Sequence, residues 1–357
     1  MTVGEGKAVW FGEPKSRWQT IGWVLFTLAV CLHFSLTYNA IPDFLNLDAY
    51  MRGVERTPYQ YRVLMMWVFQ LLATKHAVLA AAAHVQHMHV PDIFKTPQQL
   101  VQILVAFASI FGAVLATMGT LTRLTGDRIF SRWMSLVLIY MAYFNLAPAA
   151  WELNYTYPYD VPSLMFFCLA VYLVVSGKDW AYYLLFPIAT LNRETTCFLT
   201  IFMLVWKWRE LRDRECALTL KDWLTLAAHG VVQIAIWLAL KLWLAHHFAS
   251  NQFDFGTTGT AAPPTQKLLL NLHMLMSPQQ WPVFLSLFGF LLPAIWLGRR
   301  WIRNDGISSG LAVVVPLWVL GMMLVGVVAE IRVFSELSAL LVPALGLIVY
   351  HRFAPAR

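Results

Sequence analysis

Long apolar runs alternate with short charged loops along the whole chain. A helix that crosses a bilayer needs about 20 predominantly apolar residues. Runs that meet or approach this occupy 19–38, 99–121, 133–150, 162–177, 223–246, 281–298, 309–329 and 337–351. A further apolar stretch, 180–207, is interrupted at its centre by Asn192-Arg193-Glu194-Thr195. The weaker run 61–83 is broken by Gln70, Lys75 and His76. Strand-like alternation of the barrel type is absent from the pattern. The expected class is therefore an all-α polytopic membrane protein. One membrane-embedded unit spans 1–357, with no internal repeat or separate soluble domain.

The loops between the runs set an orientation. Arg123, Arg128 and Arg132 follow the second run, Lys178 follows the fourth, and Lys207 to Lys221 form the densest basic cluster. Arg299, Arg300, Arg303 and Arg352 repeat the pattern near the C-terminus. Cytoplasmic loops carry an excess of Lys and Arg, and one topology places all of these inside, with both termini cytoplasmic. Lys178 and the Lys207 cluster then share a side, so 180–207 must enter the membrane and return. Each arm holds about 12 residues, roughly 18 Å of helix. The polar tetrad then falls at the turn of a short helical hairpin; the alternative is one long helix with the tetrad at its centre, which would put Lys178 outside. With both arms counted, about ten helices are expected to cross. The run 61–83 is expected to form interfacial helices inside a long first outer loop, 39–98.

Composition agrees. The chain is 59% hydrophobic and 13% charged, against about 25% charged in soluble proteins. Its net charge of +7 follows from the basic loops and calls for no nucleic-acid partner. Cys31, Cys168, Cys197 and Cys216 are scattered, with neither disulfide nor zinc spacing. The first apolar run lacks a small-residue cleavage site and reads as an anchor. His84, His87, His89 and Asp92 have the composition of a metal cluster but no tight ligand spacing, and read as a surface loop. Lys241 reads as a side chain snorkelling to the outer interface.

A charge at bilayer depth costs roughly 2.5–3.5 kcal/mol, so the tetrad carries the strongest functional signal. The outer face gathers Asp43, Asp48, Glu152, Asp160, Glu194, Glu330 and Glu336 with Arg52, Arg62, Arg193 and Arg332. Guanidinium forks recognise phosphate. A carboxylate accepts the proton of a hydroxyl. Tyr and Trp offer flat faces to sugar rings, although the aromatics at 151–159 equally suit interfacial anchoring. That set fits group transfer from a phosphate-linked donor.

Three motifs carry a family resemblance. An acid in the first outer loop precedes Pro58-Tyr-Gln-Tyr-Arg-Val-Leu64; Tyr157-Pro-Tyr-Asp-Val-Pro162 and Leu191-Asn-Arg-Glu-Thr195 follow. With Glu330-Ile-Arg-Val-Phe-Ser-Glu336, these resemble bacterial polytopic proteins related to the GT-C glycosyltransferases, which use polyprenyl-phosphate sugars. The resemblance implies a GT-C-like fold in the bacterial inner membrane and an acid in the first outer loop acting as base or metal ligand. Asp48 is the first choice for that acid and Asp43 the second, with Asp160 or Glu152 as the acid of the second outer loop. Arg193 and Arg332 would bind the phosphate, and Asp160 or Glu194 would orient the sugar or Arg193. Asn192, Arg62, Tyr157, Tyr159 and Glu330 would complete the substrate-binding set. No metal ligand is assigned, and a divalent metal stays open as a cofactor. The implied partners are the bilayer, a polyprenyl-phosphate-linked sugar and envelope-assembly proteins. Two other readings stand beside this one: a lipid-linked saccharide flippase, and a non-catalytic subunit of an envelope polysaccharide or other membrane assembly.

Overall fold

A computed structural model describes residues 17–88, 94, 96–147, 155–213, 218–252 and 263–353. Among the described residues every named element is helical, and one isolated bridge, Asp43 to Thr156, ties the first outer loop to the second. Capping side chains set several helix starts. Thr96 opens α5 (Pro97–Thr125) through a reciprocal pair of hydrogen bonds with Gln99, and Gly126 closes it in the left-handed conformation. Thr219 and Asp222 open α11 (Leu220–His247) in the same way, and Asn304 caps α15 (Asp305–Val325). These caps satisfy backbone donors that lipid cannot.

Six helical segments are long and apolar enough to cross a membrane. They are α1 (Arg17–Asn39), α5, the joined α6 (Arg128–Ser135) and α7 (Val137–Leu146), α11, α15, and Ile331–Phe353, which ends in α16 (Ser338–Phe353). The first loop holds α2 (Leu47–Met51), α3 (Val63–Leu72) and α4 (His76–Gln86). Counting α3 and α4 as one broken span makes seven, but the two are bent by 80°. The expected count of about ten is thus too high by the length that a bilayer requires. The shortfall lies in short or broken pieces. Helix α8 (Asp160–Val175) has 16 residues, α9 (Asp179–Asn192) has 14 and α10 (Cys197–Arg212) has 16. Over 281–298 the chain is interrupted between α13 (Trp281–Leu285) and α14 (Leu292–Gly298). Phe288, Gly289 and Phe290 there take φ of 54°, 65° and 63°. Asn145 and Tyr140 bind the freed backbone of that break, at Phe288 N and the Gly289 carbonyl.

Side-chain contacts gather one set of helix ends at a basic pole. Arg132 reaches Thr20, Arg123 reaches the Ser176 carbonyl, Arg209 pairs with Asp305, and Arg352 lies over Trp301. Lys207 Nζ meets Asp179 Oδ2 at 3.0 Å. One straight helix over 179–207 would hold those residues about 40 Å apart. The chain instead turns back at the polar tetrad, as the loop charges predict. Helices α5 and α8 run parallel in the centre. Gly112 faces Met165 and Gly119 faces Tyr172 with equal offset, and a Cβ at Gly119 would stand 2.8 Å from the Tyr172 ring.

Candidate functional site

The turn of the hairpin is made by Arg193, whose extended backbone ends α9, and by a 3-10 turn over Glu194–Thr196. Thr190 and Thr196 bridge it through their hydroxyls at 2.9 Å. Arg193 points inward and is 4% exposed; Asp160 and Glu336 beside it are fully buried. Its Nη1 donates to Asp160 Oδ1 at 3.1 Å and to Glu336 Oε1 at 2.8 Å. Asp160 is the first residue of α8, where the helix dipole favours a carboxylate. Glu336 lies in the 3-10 turn Ile331–Leu337, and Ser163, Thr195 and Ser335 also donate to it.

Two more arginines extend the network. Arg332 Nη1 donates to Asp160 Oδ2 at 3.2 Å, Nη2 pairs with Glu330, and the guanidinium lies 3.7 Å from the centre of the Tyr157 ring. Arg62 Nη2 donates to Glu194 Oε1 at 3.0 Å and Nη1 to the Tyr159 hydroxyl at 2.7 Å. Glu194 therefore orients Arg62, not Arg193 as expected. Asn192 donates to the Tyr159 carbonyl at 3.0 Å, locking the turn to the start of α8. Burial by itself pushes the Glu194 carboxyl up, but Arg62 and then Arg193 outweigh it and hold the carboxyl below its ordinary value.

Against this network lies a cavity of about 540 Å³. Arg62, Arg193, Arg332, Glu194 and Glu330 reach its wall, with Lys241 from α11 and Lys267 from α12 (Pro264–Met276). Phe198, Leu244, Met322, Val325 and Val333 supply much of the apolar remainder, and Tyr59 and Tyr61 stand at one side. The side chain of Glu194 is 42% exposed because it faces this space. Phe198 packs on the buried Trp318 with ring centres 4.4 Å apart, on the side toward the basic pole.

The residues expected at the site divide. The structure brings Asp160, Asn192, Arg193, Glu194, Arg62, Glu330, Arg332, Tyr157 and Tyr159 together. It leaves Asp48 and Asp43 outside the cavity wall. Asp48 is exposed and accepts from Gln98 Nε2 at 2.7 Å; Asp43 accepts from Gln102 Nε2 at 2.9 Å. Both partners lie on the first turns of α5. Tyr157 and Tyr159 are buried under the arginines, so their faces serve cations rather than a sugar. Glu152, His89, Asp92 and Cys216 lie outside the described residues. Among the described residues no group of three or more His, Cys, Asp or Glu is placed to hold a metal ion.

The sequence puts Glu336 among the outer-face acids without a place in the substrate site, and Lys241 reads there as an interfacial side chain. The signal for Lys241 was its spacing. Trp237 and Lys241 are four residues apart on α11, hence on one face. No family model, no curated protein and no solved structure matches this chain.

Proposed function

We propose that the chain is a glycosyltransferase-like membrane protein that takes a sugar from a polyprenyl-phosphate donor at the hairpin end of the molecule. The cavity carries the reading. It joins cationic side chains, two accessible carboxylates and apolar walls among helices suited to a bilayer. Ligand pockets of about 300–1,000 Å³ with a few convergent polar groups are typical of small-molecule sites. A lipid phosphate with one attached sugar matches that chemistry. The basic pole would face the cytoplasm of a bacterial inner membrane and the cavity the other side.

In such a transfer an acceptor hydroxyl attacks the anomeric carbon. The bond from that carbon to the phosphate oxygen breaks, and polyprenyl phosphate leaves. The hydroxyl proton passes to a carboxylate. Glu194 suits that role better than Asp48: it faces the cavity, and Arg62 fixes only one of its oxygens. Transport of the lipid across the membrane is disfavoured by the aromatic floor of Phe198 and Trp318.

The test is turnover by the purified full chain with a panel of polyprenyl-phosphate sugars, read as released polyprenyl phosphate. Glu194→Gln should lower turnover by about 10²–10⁴-fold. Asp48→Asn should leave it near wild type. Binding of the lipid without release for every donor and acceptor supplied would favour a non-catalytic assembly subunit. Equal turnover by Glu194→Gln would remove the assigned base.

A further inference from the structure

Every arginine on the cavity wall already has a carboxylate. Arg193 holds Asp160 and Glu336, Arg332 holds Asp160 and Glu330, and Arg62 holds Glu194. Three guanidiniums thus face four carboxyl groups. An anion approaching that wall meets guanidiniums whose charge is already matched by carboxylates. The network is a scaffold, and a poor phosphate site by itself.

Lys241 is placed differently. It is exposed on α11 and projects into the cavity. Its Nζ lies 4.7 Å from the centre of the Trp237 ring. Trp237 is fixed in turn, because its indole N–H donates to the Glu194 carbonyl at 2.7 Å. No carboxylate among the described residues comes within ion-pair range of Lys241. The ammonium is a compact charge with three donors on a flexible stem, so it can meet an anion without breaking an ion pair. Lys267 adds a second ammonium to the same wall, where it donates to the Val325 carbonyl at 3.0 Å. Leu244, Met322, Val325 and Val333 beside these lysines suit an apolar tail.

We propose that Lys241, steadied over the cavity by Trp237, binds the phosphate of a lipid-borne ligand, and that the arginines shape the site without holding the anion. This rests on the lipid-phosphate reading above. The same chemistry has two sources, a polyprenyl phosphate or an ordinary phospholipid headgroup, and the experiment separates them.

Full-length protein in nanodiscs of zwitterionic lipid is titrated with a polyprenyl phosphate and, separately, with phosphatidylglycerol. Binding is read by native mass spectrometry and by protection of Cys197, which lines the cavity, from a maleimide in a Cys216→Ser background. Wild type should bind the polyprenyl phosphate and protect Cys197. Lys241→Gln should weaken binding at least about tenfold, the scale of one charge-assisted contact. Lys241→Arg should recover most of it, and both variants should melt like wild type. Wild-type affinity in Lys241→Gln would overturn the assignment. If phosphatidylglycerol alone binds, and does so through Lys241, the assignment stands and the polyprenyl donor reading fails. If wild type binds neither lipid, both fail.

Discussion

On one wall of the cavity Arg193 and Arg332 are held by carboxylates that solvent does not reach. On the other, Lys241 lies over Trp237, and no acid among the described residues is in range. The same charge does opposite things in these two places. A buried ion pair gives little net stability, because desolvation offsets the attraction, but removing one member strands the other. The arginine wall therefore resists change, and the lysine wall tolerates it. The sharpest way to break the comparison is Arg193→Met, which removes the one cation paired with Glu336 among the described residues and leaves Asp160 with Arg332 alone. Thermal unfolding in detergent should show a loss of about 3–5 kcal/mol. Lys241→Gln should show no loss in the same assay. Equal melting of Arg193→Met and wild type would remove the distinction.

Much of the arginine wall was legible in the sequence, and little of the lysine wall was. Arg193 and Glu194 stand out because charge interrupts an apolar run, and Asp160 because an acid opens an apolar helix. The hairpin followed from Lys178 and Lys207, whose positive charges demand one side of a membrane. Pairing was legible only in part. The resemblance names Asp160 among the acids that could orient Arg193, and that pair forms across 33 residues of chain; Glu336, 143 residues away, carries no local mark as the second partner. Asp48 is the first choice for the base only through the resemblance, which puts an acid in the first outer loop. Its actual partner, Gln98, is a neutral side chain in a helical first turn and carries no sign of that contact. From the sequence, Lys241 reads as an ordinary snorkelling lysine near the end of an apolar helix. Only the fold of α10, α11 and α15 shows that it has a cavity to enter. The span count failed for a related reason: apolar composition marks a helix as suited to a place away from water, but not whether it is long enough to cross.

The lysine wall is steadied by neutral hydrogen bonds. Asn271, fully buried on α12, donates to the carbonyls of Met323 and Gly326 at 3.0 Å and accepts from Val328 N at 2.9 Å. It closes the open end of α15 beside Lys267, where carbonyls would otherwise lack donors. Asn271→Ala should cost about 1–3 kcal/mol, the range for leaving buried polar groups unsatisfied. That loss should be smaller than that of Arg193→Met and insensitive to salt, as measured by melting at low and high ionic strength. A loss as large as that of Arg193→Met would show that the lysine wall is no more tolerant than the arginine wall.

The smallest effect expected is a pH dependence where the two walls meet. Glu194 faces the cavity, and its carboxyl is held below the ordinary value because Arg62 and Arg193 outweigh the effect of burial. A carboxyl with a depressed value in the folded state contributes stability above its unfolded value, about 4.3 for Glu. That contribution falls away as pH drops through the lower, folded value. Wild type and Glu194→Gln should therefore differ in melting temperature by a constant amount above about pH 5, and the gap should shrink below it. The gap itself should be modest, because solvent in the cavity screens the half-exposed Glu194 carboxylate. A gap that widens toward acid would mean that Glu194 is protonated when folded. It would then be a hydrogen-bond donor at the cavity and not the base, and the proton acceptor would have to be sought in Glu330, the other carboxylate on that wall.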